Sequence, residues 1–544
     1  MGNHLYYGDN LKVLRDSIGD ESVDLIYLDP PFNSNASYNV LFKGPQGNES
    51  AAQIEAFDDT WHWNDSAEAA FQDVLRSGNG AAAEMLRAMR GFLGENDMMA
   101  YLAMMAVRLI ELHRVLKPSG SLYLHCDPTA SHYLKILLDA VFGARFFQNE
   151  ITWKRTSVHG DSKTWSRVSD KIFFVSKTAD FIWNTPYEPL SDKYIESHYS
   201  NKDPDGRRYQ LTSILSPSPR PNMMYEWKGF ESPPMGWRFS RERMAQLDVD
   251  GHIWYPRHKS GELDTSKRPR FKRYLDEQKG TVLSTVWTDI PPLNAQAQER
   301  LGYPTQKPVA LLERILAASS NEGDIVLDPF CGCGTTVHAA EKLNRQWIGI
   351  DVTHLAIGLI EKRLRDAFPK VAFTTHGVPQ DIAGARDMAR RGREDKNYYF
   401  EFEKWALSLI NAQPGNLSKK GADKGIDGNI YFGKTSRAIV SVKAGDNISV
   451  AMIRDLRGVI EREKAEIGVF LTLTEPTKPM VAEAAAAGQY VSEDAAPVPR
   501  VQIVTVEQAL SLRDRAVQIP LRRSDTFRKA AREEDRGAQG ALDL

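Results

Sequence analysis

The chain has 544 residues, too many for one ordinary hydrophobic core, so about two to four domains are expected. The formal net charge of −2 excludes a global basic field, so nucleic-acid binding would require a local basic face. The three cysteines, Cys126, Cys331 and Cys333, do not form two spaced pairs, which disfavours a disulfide framework and a zinc site.

The start of the chain and its apolar runs bear on where the protein works. Residues 1–7 lack a basic segment followed by an apolar one, and no apolar run approaches the length that spans a membrane. We therefore expect a cytoplasmic protein without a membrane partner.

The predicted elements begin with a pattern typical of an α/β protein. Tyr7 ends a short strand, and Gly8 with Asp9 forms a turn that caps a helix. Further along, helices and strands alternate, the clearest being a helix over 101–116, a strand over 121–126 and a helix over 131–142. This alternation predicts a parallel sheet.

A second strand ends in an unusual turn. Residues 23–28 form an apolar run typical of a buried parallel strand, and Asp29 follows it directly. Pro30 and Pro31 end the strand, because neither can donate a ladder hydrogen bond. A carboxylate and the ring of Phe32 are therefore predicted at the carboxyl edge of the sheet, where open α/β folds bind ligands.

The middle of the chain, residues 154–299, departs from this alternation. It is rich in Arg, Lys, Trp, Tyr and Pro, as in 207–209, 237–239, 254–257 and 267–274. Basic residues interleaved with aromatic ones suit phosphate neutralisation and stacking on bases. Any single cluster is better explained as core aromatics under solvated loops, so DNA contact is inferred only from their accumulation.

Beyond this segment the α/β pattern resumes with a candidate nucleotide site. A predicted strand ends at Asp328, a loop carrying Phe330, Gly332 and Gly334 precedes a helix, and the next strand ends at Asp351. Such glycines let the backbone approach a ligand, and the terminal Asp can accept hydrogen bonds from ribose hydroxyls. A third Gly three residues on is missing, so a nucleoside with a small zwitterionic tail fits better than a pyrophosphate.

These motifs resemble those of the amino-DNA methyltransferases that use S-adenosylmethionine. In that family an Asp/Asn/Ser-Pro-Pro-aromatic catalytic motif pairs with a Phe-x-Gly-x-Gly cofactor motif. Here the catalytic motif comes first, as in the β group that includes the type III modification subunits. Residues 303–308 match the helix-leading motif, and Asp9 matches the acidic position near the cofactor adenine. The resemblance covers about residues 1–370 and implies these cofactor-binding residues: Asp9, Thr305, Lys307, Asp328, Phe330, Gly332, Gly334, Thr335 and Asp351.

The resemblance implies a Rossmann-like methyltransferase domain over 1–375, with 154–299 as an inserted target-recognition region in contact with duplex DNA. Catalysis is assigned to Asp29, Pro30, Pro31 and Phe32. Asp29 and the Pro30 carbonyl would accept hydrogen bonds from an exocyclic amine and localise its lone pair, while Phe32 stacks on the flipped base. Asp at the first motif position favours the N6 of adenine as target, and N4 of cytosine stays open.

Residues 376–397 are predicted to be a linker, 398–515 a small α/β domain and 516–544 a flexible tail. The small domain resembles the Mrr-type branch of restriction endonuclease folds. Asp427 and Lys443 match that family's Asp and its Gln/Glu-x-Lys lysine, whereas Ser441 departs from the expected Gln or Glu. Glu401 or Glu403 could be the helix acid, and Asp427 could hold Mg²⁺.

Several alternatives therefore stand beside adenine methylation in a restriction-modification system. The endonuclease-like domain either cleaves DNA with Mg²⁺, making the chain bifunctional, or only binds DNA. A homodimer and a separate restriction subunit are both open as partners. Residues 428–435 satisfy the phosphate-loop pattern, but the predicted strands on both sides indicate a hairpin, which disfavours an ATPase.

Overall fold

The structure is a computed structural model in which two compact units are distinguished, Met1–Asn184 with Thr285–Leu544 and Thr185–Ser284. It describes residues 2–31, 37–43, 49–58, 62–158, 164–294, 297, 299–301, 303, 305–394, 396–415, 425–433, 435–492, 495–520 and 530–533. Phe32 lies outside these residues, so its predicted stacking role stays a prediction.

The larger unit is organised around a mixed, mostly parallel sheet. Among the described residues this sheet has nine strands, in the spatial order Val286–Trp287, Phe147–Lys154, Ser169–Ser176, Leu116–Cys126, Val23–Leu28, Ile325–Asp328, Gln346–Asp351, Asn3–Tyr7 and Phe373–His376. The Ser169–Ser176 strand runs antiparallel to both of its neighbours, and the other pairs are parallel. The predicted α/β fold class is confirmed.

The centre of the sheet joins distant parts of the chain. Val23–Leu28 lies beside Ile325–Asp328, with Leu25 opposite Val326. Every residue of Val23–Leu28 is buried, as the continuous apolar run predicts for a parallel strand covered on both faces. The Asp-Pro-Pro turn and the glycine-rich loop therefore follow adjacent strands at the same edge.

Helices cover both faces of this sheet because each presents an apolar stripe to it. Five helices share a core with the first face: Asn10–Ser17, Asp65–Arg76, Gly80–Leu93, Asp97–Val115 and Ser131–Phe142. Three share a core with the second: Val309–Ser319, Thr335–Lys342 and His354–Ala367. An antiparallel hairpin, Ser37–Lys43 with Glu49–Asp58, is inserted after the Asp-Pro-Pro turn.

The smaller unit, Thr185–Ser284, has its own core of aromatic and aliphatic residues, including Trp227, Phe230 and Trp237. Its elements are the strands Tyr187–Glu188, Asn201–Lys202, Arg208–Ser213, Ile253–Trp254, Arg270–Tyr274 and Thr281–Val282 and the helices Asp192–His198 and Arg241–Val249. Several aromatics of the predicted DNA-contact clusters are thus core residues.

A second sheet lies near the end of the chain. In the part of the chain that the structure describes it has five strands, in the order Gln413–Pro414, Gly428–Phe432, Ser436–Lys443, Ile467–Thr472 and Val501–Thr505. Further elements around it are Lys396–Leu409, Val450–Arg462, Lys478–Ala485, Gln489–Ser492, Ala495–Pro499 and Val506–Leu512. The phosphate-loop pattern falls on the antiparallel pair Gly428–Phe432 and Ser436–Lys443, so it is a hairpin as expected.

Two segments differ from their predictions. The predicted linker 376–397 contains the helix Ile382–Glu394, because its Ala385 and Met388 supply an apolar face that is buried in the core of the second sheet. In the predicted flexible tail, Ala530 is buried and Glu533 accepts a hydrogen bond from His338 Nε2 at 3.0 Å. No helix within the described ranges is long and apolar enough to cross a membrane.

Candidate active site

One cavity of about 460 Å³ opens at the carboxyl edge of the large sheet, between the two central strands. Of the nine residues predicted to bind the cofactor, eight line it, Gly334 being the exception. Asp29, Pro30 and Pro31 line the same cavity. The remaining lining residues are Gly8, Asn10, Tyr27, Met104, Arg108, Tyr303, Gln306, Leu312, Pro329, Cys331, Cys333, Thr336, Val352 and Thr353.

Asp29 is held from one side only. Its Oδ2 accepts a hydrogen bond from the Lys307 ammonium, and both side chains are largely buried. Its Oδ1 is buried and has no hydrogen-bond partner among the described residues. Because a buried carboxylate oxygen is costly to leave unpaired, Oδ1 is an acceptor available to a ligand in the cavity.

Arg108, which the sequence motifs did not identify, also lines the cavity and orders two of its residues. Its Nη2 donates to Asp9 Oδ2 at 2.9 Å, and its Nε donates to Asn10 Oδ1 at 2.6 Å. Asn10 in turn donates to the Pro329 carbonyl at 2.8 Å. The guanidinium fork therefore fixes Asp9 against the loop that follows Asp328.

Replacing Arg108 with Lys is expected to weaken the binding of S-adenosylmethionine about tenfold, because one ammonium cannot hold both Asp9 and Asn10. Isothermal titration calorimetry measures the affinity. Arg114→Lys is the matched control: it lies on the same helix and bonds Glu111 and Asp20 away from the cavity. Equal loss of affinity in the two variants would contradict a positioning role for Arg108.

The glycine-rich loop is shaped by Asp351. Its Oδ2 accepts from the Gly332 amide at 2.8 Å, and its Oδ1 accepts from the Thr353 amide at 2.9 Å. Gly332 has φ +53, and an added Cβ would contact the Tyr303 ring at 3.4 Å. Asp351 therefore fixes the backbone at Gly332, whose left-handed conformation suits glycine.

Two carboxyls of the cavity are harder to ionise than usual. Burial raises the pKa of Asp328 to about 7, against hydrogen bonds from Thr336 and the Phe330 amide that favour its ionised form. Burial also raises the pKa of Asp351 to about 6. Each carboxyl therefore binds its proton more tightly in the folded chain than in the unfolded one.

The raised pKa of Asp328 predicts that the free energy of unfolding decreases as the pH rises. Its contribution to stability is present below about pH 4 and is lost as the pH rises through about 7, because the folded state then buries an ionised carboxylate. Asp328→Asn is therefore expected to gain stability relative to wild type from pH 4 to pH 8, on the order of 4 kcal/mol. Urea unfolding at several pH values measures this. A pH-independent difference would contradict it, and the surface variant Asp180→Asn is the control.

The sequence did offer a signal for the missed residues. Arg108 is a buried cation at an apolar-periodic position of the helix Asp97–Val115, beside Met105 and Leu112. A buried cation on such a face needs polar partners from elsewhere in the fold. Tyr27 lies in the strand that ends just before Asp29, and from the sequence alone it is predicted to be a core residue.

In the second sheet the predicted nuclease residues are brought together only in part. Asp427 Oδ2 accepts from the Val442 amide at 2.6 Å and from the Ser441 hydroxyl at 3.2 Å, and Lys443 Nζ lies 3.7 Å away. Glu401 is instead engaged by the Tyr7 hydroxyl, at 3.0 Å, and by Lys404. Glu403 is buried.

The acidic groups described in this domain do not form a complete metal site. Within the ranges that the structure covers, no group of three or more His, Cys, Asp or Glu side chains could hold a metal ion. Asp427 Oδ2 is already used by a backbone amide. The described residues therefore do not form a complete Mg²⁺ site, and Asp427 as a metal ligand stays a prediction.

The parallel sheet, the glycine-loop cavity and the Asp-Pro-Pro edge define a nucleoside-cofactor enzyme of the α/β class. The chain belongs to the DNA methylase family of the N6/N4 class, whose sequence model matches residues 23–362. A restriction endonuclease model matches residues 395–493. The predicted combination of an amino-DNA methyltransferase with an endonuclease-like domain is confirmed, while the target base is not distinguished by these matches.

Two curated relatives agree with this assignment, and a solved structure is similar at lower identity. The type II methyltransferase M.EcaI of Enterobacter cloacae is 30% identical over 67% of this chain and 69% of its own length. The StyLTI Mod subunit of Salmonella typhimurium, from a type III restriction-modification enzyme, is 26% identical over 62% of this chain but only half of its own length. The solved structure of an M1.HpyAVI–SAM complex, 15% identical, covers 66% of this chain and 98% of its own with a TM-score of 0.31.

Proposed function

We propose that the protein transfers the methyl group of S-adenosylmethionine to the exocyclic N6 of adenine in duplex DNA, within a restriction-modification system. The observation that carries the proposal is Asp29 Oδ1, a buried acceptor without a partner among the described residues. It lies in one cavity with the glycine-rich loop. The restriction-modification context is supported by the type III enzyme to which the StyLTI Mod subunit belongs.

The residues of the cavity fit the cofactor. Its volume of about 460 Å³ is within the range of small-ligand sites, and its glycine-rich loop admits a close backbone approach. Asp351 and Asp9 would hold the nucleoside, and Phe330, Gly332, Thr305 and Thr335 would line the remainder. S-adenosylmethionine supplies an electrophilic methyl group when bound.

Asp29 and the Pro30 carbonyl activate the exocyclic amine of the target base. An exocyclic amine is a poor nucleophile because its lone pair is delocalised into the ring. Hydrogen bonds from the amine to Asp29 Oδ1 and to the Pro30 carbonyl localise that lone pair. Lys307 fixes the carboxylate through Oδ2, so that Oδ1 keeps its position without a covalent or metal-assisted step.

The smaller unit supplies cations for the duplex. Although its aromatics are largely core residues, Arg238, Arg257, Lys259, Lys267 and Arg270 remain exposed. Exposed cations neutralise phosphates and release counterions, so binding to DNA should weaken as salt increases. This supports Thr185–Ser284 as the DNA-contacting part of the predicted region 154–299.

The test is nucleoside mass spectrometry of DNA from methylation-deficient cells that express the chain. N6-methyladenine is expected, and sequencing of modified bases would then give the recognition site. If only N4-methylcytosine is found, the target is cytosine and not adenine. If neither modified base is found although the protein is folded and binds the cofactor, the proposal is contradicted. Sedimentation of the purified chain tests the homodimer, and co-purification tests a restriction subunit.

A second candidate activity is cleavage of DNA by the endonuclease-like domain. The observation that favours it is the approach of Lys443 Nζ to Asp427 Oδ2, 3.7 Å apart, where the family places its Asp and Lys. Unmethylated duplex incubated with Mg²⁺ tests it, with Asp427→Ala as the control. Intact DNA with both proteins would leave a domain that only binds DNA.

A further inference from the structure

A row of polar side chains crosses the interior of the large sheet from the cavity. The Tyr27 hydroxyl lies 2.8 Å from His125 Nδ1, and His125 Nε2 lies 3.2 Å from Asp170 Oδ2. Asp170 Oδ1 forms an ion pair with Arg155 Nε at 3.2 Å. These residues belong to, or directly follow, four adjacent strands, so the row runs sideways through the sheet.

The two ends of the row differ in their surroundings. Tyr27 lines the cavity together with Asp29, whereas the Arg155 side chain is 44% exposed. His125 and Asp170 between them are at most 1% exposed. The row therefore links the cavity to the protein surface through an interior that is otherwise apolar, with Trp153 packed edge-on against the His125 ring.

The hydrogen-bond directions follow from the chemistry of the groups. An ionised Asp170 can only accept, so His125 Nε2 carries the proton and donates it. Burial, the largest influence, raises the pKa of Asp170, but the hydrogen bond from His125 and the charges of His125, Lys307 and Arg155 bring it below its usual value. In the uncharged form of the ring that carries its proton on Nε2, Nδ1 is the acceptor and the Tyr27 hydroxyl donates to it.

The fold does not need such a row to satisfy a buried tyrosine. Tyr123 lies directly opposite Tyr27 on the next strand, and its buried hydroxyl has one neutral partner, Ser319 Oγ, at 2.7 Å. Placing a histidine and a carboxylate behind Tyr27 adds the cost of burying a charge. The Tyr–His–carboxylate order is instead the arrangement in which a hydroxyl exchanges its proton with an imidazole that a carboxylate orients.

The reaction requires a proton to leave the cavity. When the amine nitrogen bonds to the methyl carbon, the carbon–sulfur bond breaks and its electron pair goes to sulfur. The methylated nitrogen then carries one proton more than the neutral product. We propose that Tyr27, His125 and Asp170 form a proton relay in which His125 takes up this proton through Tyr27 and holds it beside Asp170 until the product leaves, which rests on the proposed function.

Each step of the relay is balanced. The Tyr27 hydroxyl takes up a proton from the cavity side as it passes its own to His125 Nδ1. The imidazolium formed keeps its Nε2 proton and is stabilised by Asp170. After the methylated product leaves, the Nδ1 proton returns through the Tyr27 hydroxyl to the cavity, which restores the neutral ring. The pKa of Tyr27 is raised well above its usual value, first by burial and then by Asp29, Asp328 and Asp170, so the hydroxyl relays a proton without persisting as phenolate.

The experiment compares Tyr27→Phe with Tyr123→Phe in the full chain. Both substitutions remove one buried hydroxyl from opposite positions of adjacent strands, but Tyr123 does not line the cavity. The measurements are the single-turnover rate with tritiated S-adenosylmethionine and duplex DNA, the cofactor affinity by calorimetry, and the thermal midpoint. The wild-type single-turnover rate is also measured in D₂O.

Tyr27→Phe is expected to slow single-turnover methylation about 10²-fold, typical of lost acid–base catalysis, with cofactor affinity retained. Tyr123→Phe is expected to keep the wild-type rate, and the wild-type rate is expected to fall in D₂O. Equal rates for the two variants, or no solvent isotope effect, would overturn the relay. An inactive wild type would instead contradict the proposed function.

A second variant, His125→Gln, tests the relay even if Tyr27→Phe does not fold. His125→Gln can place an amide near the position of Nε2 and keep the hydrogen bond to Asp170, but it cannot take up and release a proton. It is expected to fold, to bind S-adenosylmethionine and to show the same 10²-fold loss of rate. A folded His125→Gln protein with the wild-type rate would overturn the relay.

Discussion

Asp29→Ala is expected to slow methyl transfer about 10²–10³-fold while binding of S-adenosylmethionine survives. The substitution removes the acceptor Oδ1 from the cavity, so the amine loses the hydrogen bond that localises its lone pair. It also removes the carboxylate to which the Lys307 ammonium donates but does not alter the glycine-rich loop. Single-turnover methylation of duplex DNA measures the rate, and calorimetry measures cofactor binding.

The matched control is Asp127→Ala. Asp127 also follows a strand of the large sheet and precedes a proline, but it caps Thr129 and does not line the cavity. It is expected to retain activity. Asp29→Asn, which keeps an acceptor oxygen, is expected to lie between wild type and Asp29→Ala. Full methylation by Asp29→Ala would show that the chemistry is assigned to the wrong residue.

Gly334→Ala is expected to weaken cofactor binding and to destabilise the fold. Gly334 has φ +77, and an added Cβ would lie 2.8 Å from Ile360 Cγ1. The left-handed conformation costs about 1–2 kcal/mol for an L-residue, and overpacking adds about 1–3 kcal/mol. The helix after the glycine-rich loop must shift, so affinity is expected to fall at least about tenfold. Calorimetry and chemical denaturation measure the two effects.

Gly323→Ala separates the two contributions. Gly323 has a similar φ of +84, but no atom lies within 4 Å of its added Cβ. This variant is expected to show the backbone cost alone, about 1–2 kcal/mol, with unchanged cofactor affinity. If both variants bind the cofactor equally well, the close approach of Ile360 to Gly334 has no part in shaping the site.

The sequence predicted the parts of the site that depend on local chain conformation. Prolines after Asp29 and glycines after Asp328 dictate turns at strand ends, and the parallel-sheet rule then places both at one edge. Their meeting in one cavity follows from two neighbouring central strands. A buried apolar strand and a glycine turn can be predicted from the sequence because the backbone preference of each residue decides them.

Contacts between distant side chains were not predictable in this way. Arg108 reaches Asp9 from a helix 99 positions away in sequence, and Lys307 reaches Asp29 across 278 positions. The linker prediction failed for a related reason. The sequence of Ile382–Glu394 is mostly polar and has only a narrow apolar face. Burial of that face in the core of the second sheet stabilises the helix.

The pairing of Val23–Leu28 with Ile325–Asp328 also governs the order of events during synthesis. The central strands of the large sheet are separated by nearly 300 residues, so its core cannot close until the ribosome has passed Asp351. The endonuclease-like region emerges only afterwards. Since domains tend to fold in order of emergence, the central strands of the large sheet can pair before the second sheet is complete. The cavity at the carboxyl edge of the large sheet, whose lining residues all precede residue 354, would thus form before the endonuclease-like region folds.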